Sequence, residues 1–406
     1  MRLLVMICAC SLLAGLARAG PTQPAPALLD VLPSPDPVAG LAAPATYDGL
    51  LGDWDVVVTD YDTDGTSHRG TGEWHFGRVL EGRAIQDVWI SPRRGERPPS
   101  SHTPGPRNRY GSTIRFFDPT IDAWRVTWVN PAQNYVATLV GRSSGSEIVQ
   151  EGEGDSGERL RWVFSEITPA GFQWRGDVSA DGGRTWRRAQ EMTALRATVR
   201  VTGSTDATDR MMGALVAPVS VHGPGRSETH GAAAPDPRRD MVAELAAPGP
   251  HPSLGADARD FDRLVGTWDC DYSFLAEDGS VRHSKGELRF GWIIDGRALQ
   301  DIWIGYPTRP NDERRIGTSV RFFDTKARIW RVVFVAPAFG IITIMEGGAE
   351  EDHIVLRGKD PDGSSLRWSF NDIRAGSFTW RGEVSRDGGK TWRIEEEHHM
   401  RRRTGA

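Results

Sequence analysis

This sequence has few cysteines, a small net charge and only one long hydrophobic run, and each of these features excludes a class of protein. The 406 residues include three cysteines, and two of them, Cys8 and Cys10, lie among the first ten residues. The rest of the chain holds only Cys270, so it cannot form an internal disulfide. The formal net charge is −5, and the sequence has no basic stripe. A nucleic acid is therefore not an expected partner.

The one long apolar run lies at the N-terminus. Arg2 precedes the apolar residues 3–16, and Ala-Arg-Ala at 17–19 is a small-x-small cleavage pattern. The run is too short for a transmembrane helix. The sequence therefore predicts a signal peptide at 1–19 and an exported protein, periplasmic or secreted, with no membrane span after cleavage.

Most of the remaining chain occurs twice. The matching pairs include “EGRAIQDVWI” (81–90) with “DGRALQDIWI” (295–304), “AWRVTWVNPA” (123–132) with “IWRVVFVAPA” (329–338), and “RLRWVF” (159–164) with “SLRWSF” (365–370). The first copy is longer at 91–113, a stretch rich in Pro, Gly, Ser and Arg that we interpret as a loop.

The repeat predicts a domain layout. A Pro/Ala-rich leader at 20–45 precedes a first domain at 46–197, and a flexible linker at 198–258 leads to a second domain at 259–403. Within each copy, short segments rich in aromatic and β-branched residues alternate with Asp-Gly turn signals, and no long amphipathic helix is evident. This pattern predicts eight to ten antiparallel strands per copy, arranged as a barrel or a sandwich.

Each copy opens with Gly-x-Trp, as “GDW” (52–54) and “GTW” (266–268). Together with the later “GELRF”, “DGRALQD”, “RFFD”, “WRV” and “DGGKTW”, this resembles exported bacterial calycin-like, or lipocalin-like, β-barrel domains of unknown function. The resemblance implies an all-β fold of two antiparallel meander barrels joined by a flexible linker. It also implies that the Trp closes one barrel end beneath an Arg of the last strand, for which Arg187, Arg188 and Arg393 are the candidates.

A second resemblance concerns “SADGGRTW” (179–186) and “SRDGGKTW” (385–392), which look like the Asp-box of sialidase-type β-propellers. A propeller needs several blades, whereas this motif occurs once per copy. We interpret it as a hairpin turn, in which Asp387 binds backbone N–H groups and Gly388 and Gly389 adopt positive φ. Trp392 would then anchor the returning strand in the core.

Aromatic and shared polar residues provide the candidate site. All fifteen tryptophans fall inside the two copies, where they would fill the barrel core or line a ligand cup. Gln300 and Asp301 are neighbours on a predicted strand, so one of them points inward and needs a partner. The predicted ligand contacts are Trp268, Glu287, Gln300, Asp301, Trp303, Phe322, Trp330, Trp368 and Trp380 in the second copy, and Gln86, Asp87 and Trp89 in the first.

These residues predict a tandem calycin-like protein that binds or carries a small, largely apolar molecule. One alternative is a calycin-type isomerase, cyclase or hydrolase that acts in one barrel through Glu287, Gln300, Asp301 and Arg321, although no recognisable catalytic set is present. Another alternative is a non-enzymatic envelope protein that binds a partner through the loop at 91–113.

No metal site and no cofactor are predicted, with haem at His398 as the alternative. An inward-facing His398 could ligate haem, as a barrel histidine does in some haem-binding calycins. The first copy has Met192 at this position. Cys270 is expected to be a small buried residue on the first strand of its barrel.

Overall fold

The computed structural model describes residues 28, 31–34, 43–93, 96, 109–197, 237–276, 279–308 and 314–403. The predicted signal peptide lies outside the described residues, as do most of the leader, residues 198–236 of the predicted linker and most of the loop at 91–108. Within the described part of the chain, no helix is long and apolar enough to cross a membrane.

Each copy forms a closed barrel of ten antiparallel strands, in which every strand pairs with its neighbours in sequence and the last strand returns to the first. The strands of the first barrel are β1 (Gly52–Tyr61), β2 (Ser67–Val79), β3 (Ala84–Ser91), β4 (Arg109–Asp118), β5 (Ala123–Asn130), β6 (Tyr135–Ser144), β7 (Glu147–Gly154), β8 (Arg159–Ser165), β9 (Gly171–Ser179) and β10 (Arg187–Arg196). Those of the second are β11 (Gly266–Leu275), β12 (Val281–Ile293), β13 (Ala298–Gly305), β14 (Arg315–Asp324), β15 (Ile329–Ala336), β16 (Ile341–Glu350), β17 (His353–Lys359), β18 (Ser365–Asn371), β19 (Ser377–Ser385) and β20 (Arg393–Arg402). The predicted all-β class and the two closed meander barrels are confirmed.

Short helices accompany the barrels. The 3₁₀ helices span Ala45–Leu50, Pro131–Gln133, Ala256–Arg259, Asp262–Leu264 and Pro337–Phe339, and the α-helix described is α1 (Pro237–Leu245). Met241, Val242 and Leu245 of α1 are buried against the barrels. The part of the predicted linker at 237–258 is therefore folded onto the barrels.

One end of each barrel is closed by the Gly-x-Trp tryptophan. The guanidinium carbon of Arg196 lies 3.7 Å from the ring centroid of Trp54, and that of Arg402 lies 4.0 Å from the ring centroid of Trp268. The predicted partners Arg187, Arg188 and Arg393 are wrong, because antiparallel pairing sets the end of the last strand beside the start of the first strand.

A glycine beside the Trp leaves room for that arginine. A Cβ at Gly266 would lie 2.7 Å from Nη1 of Arg402, and the φ of Gly266 is +127°. Both the space and the backbone conformation therefore require glycine at this position.

The outer faces of the two barrels pack against each other. One buried apolar cluster joins residues of both barrels, including Val88, Ile90, Ile114, Phe116, Ile302, Ile304, Val320 and Phe322. At its centre, the amides of Gln86 and Gln300 each donate to the other's oxygen at 3.1 Å. At its edge, Arg331 makes a bidentate ion pair with Asp155 at 2.6 and 2.7 Å. The two copies are therefore joined by a specific interface in which equivalent glutamines meet.

The segment before each barrel makes contact with both barrels. Leu28 packs over Gly291 of the second barrel, whereas Pro33 pairs with Val79 of the first. In the same way, Met241 packs over Gly77 of the first barrel, and Ala246 pairs with Ile293 of the second. The structural correspondence between the two copies thus extends to residues near 28 and 241, and the two segments cross over.

The two “DGG” turns are hairpins, as expected. Asp387 accepts hydrogen bonds from the backbone N–H groups of Lys390 and Thr391, both at 2.9 Å, and Gly388 and Gly389 have φ of +74° and +91°. The expected burial of Trp392 is wrong, because this ring is half-exposed beneath the guanidinium of Arg367. A β-bulge in β20 shifts the register by one residue after the turn, which moves the Trp out of the inward phase.

Candidate functional site

The second barrel holds a cup that opens at the end opposite Trp268. Its volume is about 320 Å³, at the lower end of the ~300–1,000 Å³ typical of ligand pockets. Residues from nine strands line the cup, among them Leu288, Asp301, Trp303, Arg321, Phe334, Leu366, Trp368, Trp380, Glu396 and His398. Apolar and aromatic side chains form most of this surface.

Strand β13 shows how the sequence brings polar and aromatic groups into the cup. Side chains alternate between the two faces of a strand, so Asp301 and Trp303 point inward together. Gln300 and Ile302 point outward and are buried between the two barrels. Because both faces of β13 are covered, hydrophobicity alone does not distinguish the inner from the outer residues.

A buried ion pair lies in the cup. Nη2 of Arg321 donates to Oδ2 of Asp301, and Oδ1 of Asp301 accepts a bond from the backbone N–H of Ser319 at 3.2 Å. The guanidinium of Arg321 lies 4.9 and 5.0 Å from the ring centroids of Phe261 and Phe290. Burial raises the pKa of the Asp301 carboxyl, and the Arg321 charge opposes that rise only in part. The two charges neutralise each other, so the cup has no net charge from this pair.

His398 occupies the wall of the cup near the mouth. Its ring centroid lies 4.6 Å from that of Trp380, 5.1 Å from that of Tyr272 and 5.9 Å from that of Trp303. Its Nε2 is 3.2 Å from Oε2 of Glu396. The predicted inward orientation is therefore observed, and the imidazole is packed among aromatic rings.

Of the predicted contacts in the second copy, Asp301, Trp303, Trp368 and Trp380 line the cup together. Trp268 lies beneath Arg402 at the closed end, where its Nε1 donates to the backbone O of Leu264 at 2.7 Å. Trp330 packs against Phe261 and Phe323 in the core and does not line the cup.

The other predicted residues of this copy lie outside the barrel lumen. Gln300 and Phe322 are buried in the interface between the barrels. Glu287 is on the outer wall, where it pairs with Arg289 at 3.1 Å and Arg403 at 2.9 Å. These two arginines hold the pKa of Glu287 below its usual range, although burial acts in the opposite direction.

The predicted residues of the first copy divide in the same way. Trp89 lines a cup in the first barrel, and Asp87 is buried beside Arg115, which lines that cup. Gln86 belongs to the interface between the barrels. The same phase therefore holds in both copies, with the Asp and Trp inward and the Gln outward.

Sequence reasoning missed several cup residues. Leu288, Phe334 and Leu366 line the cup but were not predicted, and Arg321 was predicted only for the enzymatic alternative. The sequence contained one indication of the inward residues, because an Asp and an Arg recur at equivalent positions, as Asp87 with Arg115 and Asp301 with Arg321. A carboxylate and a guanidinium that recur together on neighbouring strands indicate a buried pair, which fixes the inward phase of both strands.

The four residues of the enzymatic alternative do not form one site. Asp301 and Arg321 pair inside the cup, whereas Glu287 is on the outer wall and Gln300 lies between the barrels. Across the described residues, no group of three His, Cys, Asp or Glu side chains could hold a metal ion. Cys270 is buried as expected, and burial raises the pKa of its thiol.

The chain is thus a tandem of two closed, ten-stranded antiparallel barrels, and comparisons with known proteins add only a likeness of fold. No protein-family model matches the chain, and no curated protein matches its sequence. It is similar to an S-type phycobiliprotein lyase from Guillardia theta, with 12% identity, 36% of this chain and 92% of that chain covered, and a TM-score of 0.29.

Two further solved structures share this likeness. The protein Rv2717c from M. tuberculosis has 15% identity, with 37% of this chain and 100% of that chain covered and a TM-score of 0.30. A protein of unknown function from the DUF3598 family of Nostoc punctiforme has 9% identity, with 88% and 98% covered and a TM-score of 0.20. All three TM-scores lie below 0.5, so nothing that these proteins do is transferred to this chain.

Proposed function

We propose that this chain is an exported calycin-like protein whose second barrel binds or carries a small, largely apolar ligand. The observation that carries this proposal is the lining of the cup, where Trp303, Trp368, Trp380 and Phe334 surround a cavity of about 320 Å³. Transfer of apolar ligand surface from water to such a lining is favourable by ~25 cal/mol per Å².

The polar groups of the cup restrict the ligand further. Asp301 and Arg321 neutralise each other, so this pair calls for no compensating charge on the ligand. Nε1 of Trp303 is buried and has no hydrogen-bond partner among the described residues. Because this nitrogen has almost no accessible surface, Trp303 presents its ring rather than its N–H group to the cup.

The calycin-like part of the proposal is supported by the two closed ends. In each barrel, a Trp from the first strand lies beneath an Arg from the last strand, Trp54 with Arg196 and Trp268 with Arg402. This is the arrangement that the resemblance implied.

The export part is supported by the sequence of residues 1–19 and has a direct test. Expression of the full chain with its own N-terminus in a bacterial host, followed by N-terminal sequencing, should give a mature protein that begins at Gly20. A full-length protein that stays in the cytoplasm would contradict export and would leave the ligand proposal standing.

Ligand binding can be tested with N-phenyl-1-naphthylamine, a neutral apolar dye whose fluorescence rises in apolar surroundings. Titration of the full chain should show saturable binding. The substitution Leu366→Trp adds bulk to the wall of the second cup and should weaken binding about tenfold or more, because overpacking removes ligand space.

The matched control is Leu160→Trp, which makes the same change at the equivalent position of the first cup. This control should leave dye affinity in the second cup unchanged. Dye binding that is insensitive to Leu366→Trp, in a protein whose circular dichroism shows intact strands, would refute the proposal.

A further inference from the structure

The first barrel also contains a cup, and its lining differs from that of the second. The volume of this cup is about 260 Å³, slightly below the ~300 Å³ lower end of typical ligand pockets, which suits a single-ring molecule. Five tryptophans line it, namely Trp74, Trp89, Trp128, Trp162 and Trp174.

Polar residues replace apolar ones at several equivalent positions. Asn130, Gln133, Tyr135 and Gln150 line the first cup. The residues at the same positions of the second barrel are Ala336, Phe339, Ile341 and Leu356. The first cup therefore offers hydrogen-bonding groups where the second offers hydrocarbon.

Three of the residues that line the first cup have a buried polar atom without a hydrogen-bond partner among the described residues. Nε1 of Trp74, Nε1 of Trp89 and Oδ1 of Asn130 are buried without a hydrogen-bond partner among the described residues. The exposed fractions of the three residues are 5%, 4% and 1%. Buried polar atoms are almost always satisfied, by protein, water or ligand. Trp74, Trp89 and Asn130 all line this cup, so its wall holds two donors and one acceptor beneath its surface, and such a polar wall suits a ligand with hydroxyl groups.

The charges of the first cup are already paired. Asp60 accepts two bonds from Arg109, both at 2.6 Å, and a third from Nε2 of Gln190 at 2.6 Å. Deeper in the barrel, Arg115 pairs with Asp87. A neutral ligand is therefore favoured over an ion.

We propose that the cup of the first barrel is a second binding site, for a neutral, hydroxylated single ring such as a monosaccharide. The C–H face of such a ring packs against the electron-rich face of a tryptophan. Its hydroxyl groups meet the polar part of the lining, which Asn130, Gln133, Tyr135 and Gln150 supply. This inference concerns a different cup from the proposed function and does not rest on it.

The test uses saturation-transfer difference NMR on the full chain, with neutral methyl pyranosides of glucose, galactose and mannose as probes. At least one probe should receive saturation, with saturable, dose-dependent binding. Asn130→Ala gives the first cup the residue that the second barrel carries at Ala336, and it should weaken binding about tenfold through loss of one hydrogen bond in a desolvated site.

Two matched variants assign the signal to one cup. Leu160→Trp should abolish saturation transfer to the pyranoside, whereas Leu366→Trp should leave it unchanged. The dye experiment should show the reverse pattern, so failure of either proposal is recognised separately. If no pyranoside receives saturation, or if Leu160→Trp leaves the signal intact in a folded protein, the first cup holds water alone and the proposal is overturned.

Discussion

The two barrels agree at their closed ends and differ around their mouths. Both have a Trp beneath an Arg at the closed end and a buried Asp–Arg pair inside. Near the mouth, Asp60 of the first barrel corresponds to Phe274 of the second, and Met192 corresponds to His398. The two copies therefore share the residues that build the barrel and part of the cup lining, and they differ at several positions that a bound molecule would meet.

The largest effect should come from the shared buried ion pairs. Arg321→Leu leaves the Asp301 carboxylate without its partner, and it should lower the free energy of unfolding by about 3–5 kcal/mol in urea titrations. Arg115→Leu should cost a similar amount in the first barrel, because Asp87 and Arg115 are equally buried.

The control for this prediction is Arg357→Leu, which removes an exposed pair with Glu350 and should cost no more than about 1 kcal/mol. If Arg321→Leu were no more costly than this control, the two inner pairs would not be structural. The double variant Asp301→Leu with Arg321→Leu should recover most of the loss.

An intermediate effect is expected where the two barrels meet. Gln300→Leu leaves the amide of Gln86 with one partner fewer inside the interface, and it should cost about 1–3 kcal/mol. The double variant with Gln86→Leu should cost less than the sum of the single variants. A double-mutant cycle measures this coupling, and strict additivity would show that the two amides do not interact.

A smaller difference should separate the two closed ends. Arg402 donates to three backbone carbonyls, those of Ala375, Val265 and Arg263, each at 2.7 Å. Arg196 donates to two, those of Pro169 and Leu51.

Replacement of Arg402 by Ala should therefore cost about 1–2 kcal/mol, and replacement of Arg196 by Ala somewhat less, as measured by thermal unfolding. The reverse order would mean that the contact with the tryptophan ring, which is closer for Arg196, outweighs the carbonyl contacts.

The smallest effect concerns pH and the two exposed turns. Hydrogen bonds from Thr391, through both its hydroxyl and its backbone N–H, lower the pKa of Asp387 from 3.8 to about 2, and Asp181 shows the same shift. Since the folded pKa is depressed, the contribution of each turn is fully present above the unfolded value and disappears as the pH falls through the folded value. Carboxyl carbon shifts in an NMR titration should therefore show midpoints near pH 2 for both residues, and midpoints near 3.8 would contradict the observed turn.

The sequence was sufficient to predict the antiparallel strands and the turns, because these depend on local signals, whereas the choice of closed barrels over a sandwich came from the resemblance. The duplicated “DGG” turns, the strand periodicity and the Gly-x-Trp starts are each read within a few residues. Which residues of a strand point into the barrel depends instead on contacts between residues that are far apart in the sequence. Gln300 and Phe322 were predicted to line the cup. They are on the outer face of the second barrel instead, where the first barrel buries them.

Two other misses have a similar cause. The bulge in β20 shifts the register of Trp392, and a bulge leaves no strong mark in sequence. The correct arginines, Arg196 and Arg402, are identified by the antiparallel register of the closing strand pair rather than by their distance from the Trp in sequence. Non-local pairing thus limits what sequence periodicity can predict.

The crossed segments before the two barrels have a consequence for how the protein would respond to proteolysis. Cleavage anywhere in residues 198–236 would yield two fragments. The segment before the barrel of each fragment would still contact the barrel of the other fragment. The first fragment would hold the second through Leu28 over Gly291, and the second would hold the first through Met241 over Gly77. Because these contacts run in both directions, the two halves would remain associated as a non-covalent heterodimer after cleavage.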